Sequence, residues 1–314
     1  MKTFDFIKHQ YKFFAISAAI ILIGLIFFFI NGINLDVQFS GGTRILIETN
    51  DEVDVPKAEA VVEAAIGKSV TAQMQKTNNP SEGEKTIYML RLDIASSETL
   101  TDEERTIVVN TVKKNFDVKE GGNQEMLSVK PSIGRETLMN GLKATLIASV
   151  LIILYVTWRF SAMHGFAAAI TALVALLHDI LVVFSMYTIF KLPMGEVFIS
   201  AILTIIGYSL NDTIIIYDRI RENSKLMRKH TLDEIVNTSI MQSLTRSINT
   251  TATTLLTVAT LYIFAAANHI TSLMEFALPL MVGFIAGVYS TIFIASPLWL
   301  MWRKSAVRRT LKSA

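Results

Sequence analysis

The sequence predicts a membrane α-helical protein with six transmembrane helices and one external α+β domain between the first and second. Three observations carry that reading. Six apolar runs approach or exceed the ~20 residues a helix needs to cross a bilayer. They are unevenly placed, one near the start and five after residue 137, with a polar stretch between. Inside that stretch, strand-like and helix-like periods follow one another in the order β-α-β-β-α-β, the ferredoxin-like arrangement. A hydrophobic share of 51% and a mean hydropathy of +0.44 are too apolar for a soluble chain of 314 residues.

The first run is Phe13–Ile30. Lys2, Lys8 and Lys12 precede it, as basic residues precede a secretory leader. No small-x-small cleavage site follows, only Asn31-Gly32-Ile33-Asn34, so an uncleaved anchor is expected. The other spans are expected at about 138–157, 163–190, 197–217, 248–267 and 274–302. Basic residues then set orientation. Arg159 lies between the second and third spans; Arg219, Arg221, Lys225, Arg228 and Lys229 follow the fourth; Arg303, Lys304, Arg308, Arg309 and Lys312 close the chain. Short loops on the other side carry only Lys191. Both termini are therefore expected in the cytoplasm. The expected division is an N-terminal span (1–31), an external domain (32–137), a five-helix bundle (138–302) with a cytoplasmic loop at 218–247, and a basic tail (303–314).

In the external domain, Thr43–Glu48 reads as a strand, Pro56–Ile66 as a helix, and Ser69–Gln75 and Lys85–Ile94 as strands. A second helix opens at Thr101, whose spacing to Glu104 forms a capping box. Its apolar face is expected to be Ile107, Val108, Thr111, Val112 and Phe116, and a last strand spans Glu125–Ser132. In the cytoplasmic loop, a second capping box at Thr231 and Glu234 precedes Ile235, Val236, Ile240 and Leu244. That spacing predicts an amphipathic helix on the membrane surface before the chain re-enters.

The chemistry concentrates in Gly207-Tyr208-Ser209-Leu210-Asn211-Asp212-Thr213, where the fourth span carries a carboxylate. An ionised aspartate in hydrocarbon costs at least ~2.5–3.5 kcal/mol on insertion scales, so it is a functional candidate by default. Two readings stand for Asp212: a proton carrier, or a neutralised carboxyl that holds helices together. Arg246, at the mouth of the fifth span, either reaches inward to that carboxylate or snorkels to lipid phosphate. His178 and Asp179 lie mid-span in the third helix and are read as relay or packing groups. As neighbours on a helix they face different ways and are not expected to act as one pair. Asn211 and Asn249 read as interhelical hydrogen-bonding residues, with relay lining as the other use. Asp218, beside Arg219 and Arg221, reads as a solvated cap. Gly207 and the Gly283-x-x-x-Gly287 spacing predict close helix contacts. Gly41 and Gly42, after Phe39, supply a turn into the first external strand.

Several classes are disfavoured. A net charge of +2 gives no nucleic-acid footprint, and a chain without cysteine has neither disulfides nor thiolate metal sites. No second histidine lies at ligand spacing from His178, so neither a metal nor another cofactor is expected. Gly-x-Ser-x-Gly, Walker and His-Glu-x-x-His motifs are missing from the sequence, so an enzyme is not expected.

Three motif clusters resemble the SecF branch of the SecD/SecF family of bacterial protein-export membrane subunits. They are Leu35-Asp36-Val37-Gln38-Phe39-Ser40-Gly41-Gly42-Thr43; the Gly207–Thr213 stretch with Tyr217-Asp218-Arg219-Ile220-Arg221-Glu222-Asn223; and Arg246-Ser247-Ile248-Asn249-Thr250 with Val288-Tyr289-Ser290 and Ala295-Ser296-Pro297. Gln38 departs from the family's usual aspartate, and Phe264-Ala265-Ala266 replaces a common Phe-Gly-Gly. The resemblance implies a subunit of the bacterial cytoplasmic (inner) membrane that couples the proton motive force to late steps of export. Asp212 and Arg246 then match the aspartate and arginine implicated in proton coupling. Implied partners are SecD, the SecYEG channel, YajC, the translocating polypeptide and membrane lipid. Two other readings stay open: a proton-driven exporter of the resistance-nodulation-division type, and a structural scaffold without ion flux. The coupling ion, H+ or Na+, is also open.

Overall fold

The computed structural model describes residues 4–79, 85–95, 99–268 and 270–313. After α1 (Gln10–Asn31), the short helix α2 (Val37–Ser40) leads into β1 (Gly42–Thr49), α3 (Val55–Ile66), β2 (Val70–Asn79), β3 (Lys85–Ala95), α4 (Asp102–Asn115) and β4 (Gln124–Val129). Then come α5 (Pro131–Arg159), α6 (Gly165–Ile189), α7 (Glu196–Leu226), α8 (Leu232–Ala267), α9 (Thr271–Ser290), a π-helical turn at Thr291–Ala295, and α10 (Ser296–Ser313). Among the described residues, six helices are long and apolar enough to cross a membrane, the sixth running through α9 into α10.

The domain is the expected β-α-β-β-α-β unit, with strand order β2-β3-β1-β4 and every neighbour antiparallel. Strand alternation sends Ile45, Ile47, Leu90, Leu92 and Ile94 to one face, where they are fully buried against Val62 of α3 and Val108 and Val112 of α4. The other face carries Arg44, Arg91 and Asp93. The Thr101 capping box forms with both of its reciprocal bonds. The face of α4 is rotated slightly from expectation: Ile107 points outward at 44% exposure, and Val109 packs on the core. β4 also stops early, at Val129, because Lys130 caps a helix and Pro131 occupies its first turn. Proline fits there since its missing N–H would have no helical partner.

Two helices fill the expected connection at 218–247, and its amphipathic stretch is not the separate surface helix expected. α7 runs on to Leu226, and α8 is one rod from Leu232 to Ala267. The Thr231 capping box forms, and Ile235, Val236 and Ile240 are buried. Their face meets α7 and α10 rather than a membrane surface. Neither glycine nor proline interrupts 232–267, so nothing separates an amphipathic helix from the fifth span. Asn223 donates to Ser239 at 2.8 Å, and Lys304 pairs with Asp233 at 2.6 Å, fixing this hairpin to α10.

In the bundle, α6 and α9 lie inside while α1, α5 and α8 turn most of their surface outward. Ala167, Ala168, Ala172 and Ala175 give α6 a smooth flank against which Tyr217 and Trp299 are buried. A Cβ on Gly283 would strike the Ile205 side chain, and one on Gly287 would lie 3.1 Å from the Ser209 Cβ, so these glycines seat α9 on α7. Gly207 departs from expectation: nothing lies within 4 Å of where its Cβ would be.

A stem joins domain to bundle. The Asp36 amide donates to the Met194 carbonyl at 3.0 Å, the Met194 amide to Asn34 at 2.8 Å, and Asn34 Nδ2 to the Lys191 carbonyl at 3.0 Å. Phe39 is buried, and Gly41, at φ +75°, has Pro131 where its Cβ would stand. At Gly134 of α5, a Cβ would sit 2.8 Å from the Phe39 carbonyl oxygen.

Gly134→Ala is therefore expected to destabilise the chain by ~1–3 kcal/mol, since backbone atoms cannot swing aside. Gly207→Ala should be neutral or stabilising by up to ~1 kcal/mol from helix propensity alone. Thermal melts of the chain in detergent compare the two. A second expectation concerns Glu48, whose carboxylate accepts from Lys119 at 2.6 Å and from the Asn123 amide at 2.8 Å. Burial opposes ionisation, but Lys119 and the amide outweigh it and hold the acid below its ordinary range. The stability it adds is thus complete at neutral pH and lost as acidification passes through the lowered value. The protection factor of the Asn123 amide against hydrogen exchange should fall in the wild type once the pH drops below the ordinary glutamate range. Glu48→Gln should lack that acid step.

Candidate functional site

Asp212 lies in the middle of α7, 5% exposed. α7 runs on for 14 residues beyond it, but the charged stretch that opens at Asp218 begins only six residues on, about 9 Å towards the basic end. Its Oδ1 accepts from Ser247 Oγ of α8 at 2.6 Å. Its Oδ2 is buried with no hydrogen-bond partner among the described residues. Arg246 is exposed and forms no ion pair with Asp212. It borders a cleft of about 520 Å³ with Ile215, Arg219, Arg221, Glu222 and Ser243. The serine beside the arginine, rather than the arginine, meets the carboxylate.

A second buried carboxylate bonds α7 one turn away from the first. Asp179 of α6 is fully buried, and its Oδ2 accepts from Ser209 of α7 at 2.6 Å and Ser290 of α9 at 2.9 Å. Its Oδ1 lies 3.1 Å from His178 Nδ1, within hydrogen-bond distance. The expectation that these neighbours could not pair is thus corrected. Cα–Cβ bonds of adjacent helical residues diverge, yet a rotated carboxylate can meet an imidazole folded towards it. The His178 ring stacks on Tyr289 at 5.8 Å, and its Nε2 has no hydrogen-bond partner among the described residues.

Ser209, Asp212 and Thr213 fall at i, i+3 and i+4, so they share one broad face of α7. That face meets three helices: Ser209 bonds α6, Asp212 bonds α8, and Thr213 bonds Thr291 at 2.9 Å where the π-turn begins. In that turn, Ser296 Oγ donates to the Thr291 carbonyl and Tyr217 OH to the Ala295 carbonyl, while Tyr217 also bonds Thr171. π-Turns concentrate at functional sites because they re-aim side chains and carbonyls. Ser209, Ser247, Ser290 and Thr291 had no assigned part in the sequence reading. Serine and threonine bonding their own helix carbonyls are common in spans, so only helix spacing around Asp212 could have flagged them.

Asn211 and Asn249 are corrected as well: both are exposed on the outside of the bundle and their side chains join no helices among the described residues. Asp218 pairs with Arg159 at 2.8 Å and Arg221 at 3.0 Å, consistent with a cap at the basic end. No cluster of three or more metal-binding acids or histidines occurs among the described residues.

Comparison with known proteins places this geometry in a family. The family model described as "Protein export membrane protein SecD/SecF, C-terminal" matches residues 108–305. The chain is 35% identical to the protein translocase subunit SecDF of Bacillus subtilis over 97% of its own length and 39% of that protein's. It is 33% identical to the protein translocase subunit SecF of Alicyclobacillus acidocaldarius, covering 98% of this chain and 96% of the relative. Among solved structures, SecDF of Thermus thermophilus, described as a translocon-associated membrane protein, superposes with a TM-score of 0.78 at 29% identity, over 96% of this chain and 39% of that one. SecDF in its super-membrane-facing form gives a TM-score of 0.65 at 26% identity, over 100% of this chain and 40% of the other. The chain thus spans about two-fifths of the SecDF proteins and nearly all of the SecF relative. It belongs to the SecD/SecF family of protein-export membrane proteins.

Proposed function

We propose that this chain is a SecF-type translocase subunit that couples the proton motive force to late steps of protein export. It lies in the bacterial cytoplasmic membrane with both termini inside and 32–137 outside. The observation that carries this is the state of Asp212: buried, held by a single hydroxyl, with its second oxygen unpartnered among the described residues. An ionised carboxylate so placed is poorly compensated, whereas a protonated one is neutral and carries its own donor. The group is therefore suited to take a proton and release it. Ile215 and Ser243, each one turn from Asp212 or Ser247, line the cleft that Arg246 borders, so the route from the basic end is short. Arg246 acts from that cleft on the charged form. One charge moved through 100 mV supplies about 2.3 kcal/mol, enough to bias a two-state bundle.

SecD is the proposed partner, with SecYEG as host and YajC as associate; the external domain contacts the emerging polypeptide. Support comes from the outward face of the bundle. Ser200, Thr204, Gly207 and Asn211 of α7, with Asn249, Thr253, Thr257 and Thr260 of α8, are exposed. Small and polar residues on a spanning helix suit packing against another helix more than lipid. The edge strand β4 likewise exposes Met126 and Leu127.

Asp212→Asn is expected to abolish gradient-dependent export in cells at normal protein level; normal secretion would defeat the relay. Ser247→Ala removes one hydrogen bond, worth about 0.5–1.5 kcal/mol, and should shift the pH profile of export and slow it by ~2–10-fold. Replacing the proton gradient with a sodium gradient identifies the ion. Gly207→Leu should leave the melt of the isolated chain unchanged but prevent SecD from co-purifying after mild extraction.

A further inference from the structure

Five charged groups meet where the domain rests on the bundle. Asp36 of the stem accepts from Arg44 of β1 at 2.5 Å and Arg91 of β3 at 2.8 Å through the same Oδ2. Asp93 pairs with Arg44 at 2.6 Å and Arg91 at 2.7 Å. Those four side chains are 15% exposed or less. The fifth is Glu275, near the start of α9, at 3.4 Å from Arg91 and 34% exposed. It alone comes from a spanning helix.

The charge count distinguishes this last contact from the others. Two guanidiniums and two carboxylates already balance within the domain and its stem, and Glu275 adds a third carboxylate. Breaking any inner pair would strand a buried charge, which is strongly destabilising. Breaking the Glu275–Arg91 contact leaves Arg91 satisfied by Asp36 and Asp93, and Glu275 open to water. It is the longest link of the cluster and the one that can part reversibly.

The helix that bears Glu275 also reaches one buried carboxylate, Asp179, and the chain neighbour of the other, Asp212. Ser290 bonds Asp179, and Thr291, just beyond the helix end, bonds Thr213, about 22 Å along α9 from Glu275. Pro279 lies four residues after Glu275 inside α9. Its missing N–H cannot bond the Glu275 carbonyl, so the turn carrying Glu275 can bend without losing a helical bond.

We propose that Glu275 is a coupling residue: its contact with Arg91 is a releasable latch through which movement of α9, set by the state of Asp212, reaches the external domain. This rests on the relay reading. The groups around each end are few. Asp212 faces Ser247 and is flanked by Arg246, with Asp179 one turn away across Ser209; Glu275 faces Arg91, with Arg44, Asp36, Asp93 and the Tyr187 hydroxyl nearby.

The chain has no cysteine, so spin labels attach cleanly at Lys113→Cys on α4 and Leu146→Cys on α5, both exposed. Distances between them are measured by pulsed electron spin resonance on the full chain with its partner in lipid vesicles, at mildly acidic and mildly alkaline pH. The Asp212 carboxyl infrared band, identified by its loss in Asp212→Asn, is followed in parallel. Glu275→Gln, nearly isosteric, should broaden the distance distribution at every pH and abolish its pH-dependent shift while the Asp212 band still titrates. Gln38→Ala, which removes only a 3.3 Å contact to the Glu196 amide at the same joint, should preserve the shift. A Glu275→Gln distribution as narrow and as pH-responsive as wild type overturns the latch, as does a wild type that shows no shift while Asp212 titrates. An Asp212 band that never titrates defeats the relay instead, and the latch is then judged on distribution width alone: no broadening in Glu275→Gln sinks it.

Discussion

A carboxylate in an apolar bundle must be given donors or a proton, and the middle of this protein is arranged around that requirement. Asp179 meets it with three polar partners drawn from three helices, His178 on its own and the hydroxyls of Ser209 and Ser290 on its neighbours. Asp212, one turn away from Ser209, meets it only partly, with a single hydroxyl. The same chemical group thus occurs twice, once heavily satisfied and once sparsely. Full satisfaction holds a bundle together, whereas partial satisfaction leaves an ionised carboxylate poorly compensated.

Close approach of the helices makes these contacts possible. Hydroxyls reach only across short gaps, and those gaps exist because Gly283, Gly287 and the alanines of α6 keep side chains out of the way. Without a hydrophobic driving force between helices in lipid, such packing and the hydrogen bonds it permits are the main terms available. The π-turn belongs to the same economy of contacts. It shifts the register of the sixth span, so that Thr291 meets α7 while Tyr217 and Ser296 satisfy carbonyls in the turn.

At the other end, the domain is attached by a backbone-bonded stem and a charge cluster rather than by an apolar seam. Backbone bonds between Asn34, Asp36 and Met194 hold the stem to the α6–α7 connection, and Gly134 lets α5 close over it. The Arg91 side of the sheet is polar where the opposite side is the domain's core.

Much of this was legible from residues alone. Six runs of sufficient length, a polar insert with alternating periods, and capping boxes at Thr101 and Thr231 determine the helical spans and the β-α-β-β-α-β order, because hydrophobic period and cap chemistry are local properties. Asp212 stood out for the same reason: a charge in a long apolar run is visible without coordinates. What only the tertiary structure decided is which groups meet. Ser247 rather than Arg246 holds Asp212, His178 does pair with Asp179, Asn211, Asn249 and Gly207 face outward, and Arg91 becomes the centre of a charge cluster spanning four elements. Each depends on the rotation and depth of one helix against another, or on a side chain's rotamer. Those quantities are set by packing over the whole bundle and leave no mark in the spacing of any single segment.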